Sequence, residues 1–373
     1  MPIAFNSIPD NVKVPGNYVE IDNSRAIRGL LAQDMRLLVL GQMLSSGTAT
    51  ADTLIPVSTV EQAQGLFGRA SHLTHMIEVI RTENPYVELI ALPLADNGDG
   101  TAASGSIGVA ASSAKAGTLN LYIAGQRVQV AVAADDSASA IATAINAAIN
   151  AAGDLPVTSA VNGGDNTQVD ITARHKGEIG NDIKMVLNWV GAPSEVTPEG
   201  VTLTLTQLSS GATNPVLTTA IAAIDESIYN IIVNPYTDTT SLDAVKTELD
   251  ARWGPLNPLE GHAFGAHRAS YGNLVTFGGN RNNPHESIAG LKATAHIPAY
   301  LFAAAFAAAY AAVVQAKDVA TPVRNTALKS FRLKKTDEFT FTERNILLGK
   351  GIATYTVGND GTVYLERSVT TYQ

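Results

Sequence analysis

Two stretches of alternating strand and helix patterns, separated by a long segment of different character, constrain the fold of this chain most. In the first stretch, the apolar runs Arg36–Gly41 and Tyr86–Leu92 predict buried strands, and Ser71–Thr82 predicts a helix between them. The same alternation returns after the intervening segment. Alternation of this kind builds a sheet flanked by helices. We therefore predict one discontinuous α/β core domain made of residues 31–96 and 214–373.

Residues 97–213 predict a separate, mainly-β inserted domain. They follow the turn cluster Asp96–Thr101 and are rich in Ala, Ser, Thr, Gly and Val in short alternating runs. Leu119–Ile123 and Arg127–Val132 flank a Gly-containing turn and predict a hairpin. Ser137–Ala152 predicts one Ala-rich helix. Insertions of this kind are tolerated at exposed loop tips whose ends lie close together.

The apolar segment Pro298–Val314 has to be weighed as a membrane span. It is uncharged, but it is slightly shorter than the roughly 20 residues that a span needs, and it is mostly Ala. Phe302, Phe306 and Tyr310 recur every four residues and form one aromatic stripe. The segment predicts a buried helix of a soluble protein rather than a membrane span.

Residues 1–30 predict an extended N-terminal arm. Three prolines and a glycine break any helix there, and Tyr18–Asp22 alternates apolar with polar residues. A strand in this position has unpaired backbone groups along both edges. It must pair either with its own sheet or with the sheet of a neighbour.

The charge and the cysteine content exclude several functional classes. The net charge is −9, and a nucleic-acid binder needs Lys and Arg to displace counterions from phosphates. The one basic cluster, Lys329–Lys335, is short and predicts a solvated or partner-facing strand end. There is no cysteine, so disulfides, thiolate metal sites and cysteine nucleophiles are excluded.

No catalytic constellation stands out. A Gly-x-Ser-x-Gly nucleophile motif between a strand and a helix is missing from the sequence. The best local pair is His267 with Ser270, and a loop histidine at a sheet edge is the favoured interpretation. We predict no catalytic residue and no enzyme.

The sequence signals for metal and cofactor sites are equally weak. His72, His75 and Glu78 are spaced along one face of a predicted helix, but this pattern is common by chance. Asp96–Gly100 lacks the spaced acids of a calcium loop and predicts a hinge. Gly41 follows a strand without a phosphate-binding motif. We predict no metal site and no cofactor.

Four stretches resemble the Mu-like bacteriophage contractile tail sheath proteins. Residues 8–22 are similar to the arm that opens these proteins, and Arg36–Leu94 and Gly272–Glu286 are similar to their core domain. Leu365–Tyr372 resembles the strand region just before their C-terminal domain. None of these stretches carries catalytic residues.

The resemblance implies an inactive α/β core, sometimes described as subtilisin-like, and a protruding inserted domain. It implies a subunit that polymerises helically around a tail tube and contracts by rigid-body rearrangement of subunits, which drives the tube through the host envelope. Neighbouring subunits stay linked by strand addition through their arms. On this chain we expect that role for five arm residues: Val14, Tyr18, Val19, Ile21 and Ile27.

The implied partners are copies of the same chain, a tail tube protein, and baseplate and tail terminator proteins, with no nucleic acid and no membrane insertion. The implied location is the virion tail, after assembly in the cytoplasm of the host bacterium. The chain ends at Gln373, two residues after the alternating pattern Thr362–Thr371, which predicts that the family's C-terminal sheath domain is absent. Two alternatives stay open: an α/β hydrolase-like enzyme, and a surface adhesin with a β-rich binding module.

Overall fold

The computed structural model describes residues 35–256, 258–316 and 322–373. The strands in these residues, in chain order, are β1 (Arg36–Gln42), β2 (Ile55–Pro56), β3 (Glu88–Leu94), β4 (Ala102–Val109), β5 (Gly117–Ile123), β6 (Gln126–Val132), β7 (Val157–Val161), β8 (Gln168–Lys176), β9 (Met185–Leu187), β10 (Leu203–Ser209), β11 (Ile231–Val233), β12 (His262–Ala269), β13 (Glu286–Lys292), β14 (Arg324–Arg332), β15 (Ile352–Val357) and β16 (Thr362–Arg367). The helices are α1 (Val60–Phe67), α2 (His72–Glu83), α3 (Ala138–Ala151), α4 (Leu217–Ile221), α5 (Thr239–Arg252), α6 (Tyr271–Asn280), α7 (Ala299–Gln315) and α8 (Phe341–Gly349). The prediction of a mixed α/β chain is confirmed.

The largest sheet, called the main sheet below, has nine strands in the order β14-β16-β15-β13-β12-β11-β1-β3-β2. Strands β3, β1, β11, β12, β13 and β15 run parallel, while β2 and β16 pair antiparallel with their neighbours. Strands β1, β3 and β11 are mostly apolar, because helices cover such sheets on both faces. Because the six parallel strands point in the same direction, their amino ends lie along one edge of the sheet and their carboxyl ends lie along the opposite edge.

Helix α2 lies close to the main sheet. The Ser71 hydroxyl accepts a hydrogen bond from the Thr74 N–H and caps its first turn. A Cβ placed on Gly41 of β1 would lie 3.2 Å from the Leu73 Cα, so glycine lets the helix approach the strand.

Helix α7 is the predicted apolar helix, and it is buried along most of its length. Its alanines allow close packing against α2 and β12, and the Phe306 ring meets the Phe264 ring edge-on at 5.0 Å. Among the described helices, none has both the length and the apolar character that crossing a membrane requires.

Residues 97–213, called the inserted segment below, form two smaller sheets and one helix. The sheets have the strand orders β10-β4-β8-β7 and β6-β5-β9. Buried apolar residues between Ala103 and Leu208 form a cluster of their own, to which Ile141, Ile145 and Ile149 of α3 contribute. Ile179 belongs instead to the cluster under the main sheet.

Three local predictions were wrong. The small-residue run Ala103–Ser106 favours a linker in the sequence but is part of strand β4, and the sequence gives no prediction of α6. The last strand ends at Arg367 rather than at Thr371. Thr371 leaves the strand because its hydroxyl lies 2.9 Å from a Glu286 carboxylate oxygen, and its N–H donates to the Glu286 carbonyl.

Candidate functional site

The carboxyl-end edge of the main sheet is where an α/β protein ordinarily binds a ligand. From β1 the chain continues to β3 on one side, and later it adds β11, β12 and β13 on the other side. The crevice between β1 and β11 is therefore a topological switch point, the usual place for a ligand in an open α/β sheet. The hydrolase alternative requires convergent catalytic groups in this crevice.

The inserted segment contacts the carboxyl end of β1, beside this crevice. Gln42, at the end of β1, is fully buried, and its side-chain amide donates 2.7 Å hydrogen bonds to Asp96 Oδ1 and to the Lys176 carbonyl. The second carboxylate oxygen of Asp96 accepts a 3.0 Å hydrogen bond from the Lys176 N–H. These bonds join the carboxyl end of β1 to the residues that follow β3 and to β8 of the inserted segment.

Asp96 also holds His175 of β8, whose Nδ1 lies 2.8 Å from Asp96 Oδ1. The Nε2 atom of the same ring accepts a 3.4 Å hydrogen bond from the His72 N–H, so Nδ1 carries the proton and donates it to Asp96. Burial by itself raises the pKa of Asp96, but the hydrogen bonds from His175, Lys176 and Gln42 lower the pKa below its ordinary value. Asp96 is therefore a structural anchor in its ionised form.

A stack of buried rings continues this contact into the core. The His72 ring lies 4.4 Å from the His175 ring and 4.8 Å from the Tyr300 ring of α7. Burial, with repulsion from His175 and His75, lowers the pKa of His72 well below its ordinary value. Burial also lowers the pKa of His75 to about 4. Both residues are neutral packing groups at physiological pH.

The metal pattern of the sequence does not form a site. His72 and His75 are buried, whereas Glu78 is exposed. Across the described parts of the chain, no group of three or more candidate ligands could hold a metal ion.

The segments that begin and end the insertion lie side by side. The Asn97 side chain donates to the Asn214 carbonyl at 3.1 Å, and Thr101 pairs with Ala212 in a β-bridge. The Asn214 side chain then donates a 2.7 Å bond to Asp238, the N-cap residue of α5. The turn Asp96–Gly100, which was predicted as a hinge, is therefore hydrogen-bonded to the core residues Gln42 and Asn214.

Two further contacts join the inserted segment to the carboxyl-end edge. Arg268, at the end of β12, has a buried side chain and forms a 3.1 Å ion pair with Asp182. Trp189 packs on the His296 ring at 4.3 Å, and the Lys334 ammonium lies 5.8 Å from the Trp189 ring centroid. The pKa of His296 is lowered to about 4 by burial, so this ring is neutral as well.

The structure gives His267 and Ser270 separate partners. His267 Nδ1 lies 3.0 Å from the Thr237 hydroxyl, and its ring stacks on Phe277 at 4.4 Å. The Ser270 hydroxyl caps α6 by accepting a bond from the Asn273 N–H. These contacts are structural, and they do not form the nucleophile and base pair that hydrolysis needs.

The basic cluster Lys329–Lys335 is largely used within the chain. The Lys329 ammonium donates to the Glu83 carbonyl at 2.8 Å, and the Lys335 ammonium donates to the Val357 carbonyl at 2.9 Å. Lys334 contacts Trp189 as described above. The five predicted arm residues lie outside the described residues: Val14, Tyr18, Val19, Ile21 and Ile27.

Sequence reasoning missed most residues that join the inserted segment to the core. Gln42 carried a weak signal, since a polar residue that follows an apolar strand marks the strand end. Asp182, Trp189 and Arg268 carried none, because their partners lie far away in the sequence.

The comparisons with known proteins agree on one family. A family model described as the phage tail sheath protein central domain matches residues 210–371. The Mu-like prophage FluMu tail sheath protein of Haemophilus influenzae is 37% identical over 375 residues, which cover 100% of this chain and 75% of that protein.

Two crystal structures of sheath tail proteins are also similar to this chain. The protein from Listeria innocua is 12% identical, with 92% of this chain and 70% of that chain covered and a TM-score of 0.44. The protein from Desulfitobacterium hafniense is 12% identical, with 96% and 75% covered and a TM-score of 0.45.

Proposed function

This chain belongs to the phage tail sheath proteins, and we propose that it polymerises helically around a tail tube and contracts by rigid-body rearrangement of its subunits. No nucleotide site stands out in its sequence, so the free energy of contraction comes from contacts exchanged between subunits. The proposed partners are copies of the chain, a tail tube protein, and baseplate and terminator proteins. The proposed setting is the virion tail, assembled in the host cytoplasm.

We propose that the chain has no enzymatic activity. The observation that carries this proposal is the set of structural hydrogen bonds at the carboxyl ends of β1 and β3. Gln42, Asp96 and Lys176 bond to one another there. A hydrolase would need open space and convergent reactive groups at that position.

We propose the domain division that the sequence suggested: an arm (1–30), a discontinuous core (31–96 and 214–373) and an inserted domain (97–213). Separate clusters of buried apolar residues under the main sheet and within the inserted segment support it. The ion pair between Arg268 and Asp182, together with the Asp96 contacts, supports motion of core and inserted domain as one body.

The arm is proposed to link neighbouring subunits by strand addition through Val14, Tyr18, Val19, Ile21 and Ile27. Support comes from the alternating pattern of Tyr18–Asp22 and from the family to which the chain belongs.

Sedimentation velocity of the purified chain over a range of concentrations tests the proposal. We expect large assemblies for the wild type and weaker association for Val19→Pro, because proline removes a strand N–H donor. Wild-type protein that stays monomeric throughout the range contradicts the function, whereas unchanged association of Val19→Pro contradicts the arm alone.

A further inference from the structure

The amino-end edge of the main sheet carries large apolar side chains exposed to solvent. Tyr86 precedes β3 and is 91% exposed, Ile228 precedes β11, and Leu256 precedes β12 and is 92% exposed. Trp253, in the same connection as Leu256, is 45% exposed. Single exposed apolar residues are ordinary, but several along one edge mark an interaction site.

A groove of about 550 Å³ opens at this edge beside Trp253. Tyr310, Val323 and Val369 contribute apolar walls, and Arg367 contributes a charged rim. The Trp253 ring stacks on His285 at 4.8 Å, and its N–H donates a 2.8 Å bond to the Gly261 carbonyl. The ring is therefore held in place, and fixed aromatic side chains in grooves are common anchors of protein interfaces.

Arg367, which lines this groove, faces a second arginine on the neighbouring strand. Arg324 of β14 and Arg367 of β16 are direct cross-strand partners, and both are exposed. Like charges in this position destabilise a sheet. Within residues 35–256, 258–316 and 322–373, neither arginine has a carboxylate partner. Their arrangement therefore favours a partner that brings carboxylates.

We propose that this edge, called the amino-end face, is a contact surface for a second copy of the chain. The face consists of Tyr86, Ile228, Trp253, Leu256, Arg324 and Arg367. The second copy fits by charge, because the chain has a net charge of −9 and offers carboxylates to the two arginines. The inserted segment covers the opposite edge of the sheet, so the two edges are unlike, as a head-to-tail contact between identical chains requires. This inference rests on the proposed polymerisation and identifies one surface that takes part in it.

Sedimentation velocity of four variants of the full chain tests the proposal. Leu256→Asp introduces a charge at the apolar part, and the double variant Arg324→Glu, Arg367→Glu reverses the charged part. Phe341→Asp and Arg332→Glu are the controls: Phe341 is an exposed apolar residue at the start of α8, and Arg332 lies at the other end of β14. We expect both face variants to raise the concentration needed for association by about tenfold or more, and both controls to leave it unchanged.

The outcomes separate this inference from the function it rests on. Wild-type association that both face variants leave unchanged overturns the amino-end face and leaves polymerisation standing. A wild-type chain that never associates overturns both.

A cross-linking experiment identifies the occupant of the face. Because the chain has no cysteine, Leu256→Cys carries a single photoreactive label. When isotopically labelled and unlabelled chains are mixed, we expect cross-links between chains. Cross-links found only within one chain overturn the proposal, and so do cross-links found only to a different protein when the experiment is repeated in cell extract.

Discussion

Asp96 Oδ1 lies 2.8 Å from His175 Nδ1, and this hydrogen bond joins the last residues of the main-sheet segment to a strand of the inserted segment. Asp96 also accepts bonds from Gln42 and from the Lys176 N–H. The same carboxylate thereby joins the end of β1 to the inserted segment.

The change Asp96→Asn removes one of the two acceptor oxygens and places an N–H₂ group against existing donors. We expect the free energy of unfolding to fall by about 1–3 kcal/mol, measured by denaturant titration at neutral pH. Asp99→Asn, in the same turn but exposed, is the control and should change stability by less than about 0.5 kcal/mol. Equal effects of the two substitutions would contradict the anchoring role.

The contribution of Asp96 also depends on pH. Its pKa in the folded protein lies below its ordinary value of 3.8, so its stabilisation is complete above that value and is lost as the pH falls through the folded-state pKa. Below pH 4 the stability difference between the wild type and Asp96→Asn should therefore shrink. A difference that stays constant down to pH 2 would count against this assignment.

Buried histidines should make the protein less stable in mild acid. Burial lowers the pKa values of His75, His262 and His296 to about 4. Between the ordinary value of 6.5 and about 4, the unfolded chain binds protons that the folded chain does not, so stability decreases as the pH falls. Each histidine contributes about 1.4 kcal/mol per pH unit over this window.

His296→Phe tests the histidine contribution at one position, because phenylalanine can still pack against Trp189 but binds no proton. His296 also faces Asp337 and Lys334, whose charges act on its pKa in opposite directions. Denaturant unfolding at pH 7 and pH 5 should show a smaller loss of stability for the variant than for the wild type. Identical losses in both proteins would mean that His296 is protonated in the folded state.

Glu83 of α2 accepts hydrogen bonds from β14, the strand at one edge of the main sheet. One of its carboxylate oxygens accepts bonds from the Lys329 N–H at 2.7 Å, the Ser330 N–H at 2.8 Å and the Ser330 hydroxyl at 2.7 Å. We expect Glu83→Ala to lower the free energy of unfolding by at least about 2 kcal/mol, because it leaves strand N–H groups without acceptors. Glu83→Gln keeps one acceptor oxygen and should lose less.

The matched control for Glu83→Ala is Glu78→Ala, an exposed position on the same helix. It should change the free energy of unfolding by less than about 0.5 kcal/mol in the same thermal or denaturant assay. If both alanine variants are equally stable, the contact with β14 contributes nothing.

The change Phe306→Ala tests how much the stability of the core depends on α7. The Phe306 side chain is fully buried, and its ring meets the Phe264 ring at 5.0 Å. Phe306→Ala should cost about 3–5 kcal/mol through lost burial and the cavity left behind. Phe341→Ala removes an exposed ring and should be nearly neutral, so a small loss at Phe306 would contradict the packing described for α7.

The sequence predicted elements whose signals are local. Apolar runs marked β1, β3 and α7, and the helical pattern of Ser71–Thr82 marked α2. β4 was missed because its small residues suggest a linker. In the structure a small residue is needed there because the neighbouring strand lies close: a Cβ on Gly105 would lie 2.5 Å from the Thr206 carbonyl oxygen.

The contacts at the candidate site could not be predicted in the same way. Gln42 bonds to Lys176, 134 positions away, and Arg268 pairs with Asp182, 86 positions away. Periodicity and capping rules describe neighbours along the chain, so they contain no information about such pairs. The resemblance to a known family supplied the function, and the structure shows which residues join the inserted segment to the carboxyl-end edge of the sheet.

Electron microscopy of the purified chain, imaged over increasing concentration, tests the central claim most directly: that this protein works by docking onto copies of itself. We expect helical tubes or shorter stacks in which the same subunit contact repeats. Single, separate subunits at every concentration, together with hydrolytic turnover that follows the protein through purification, would contradict it.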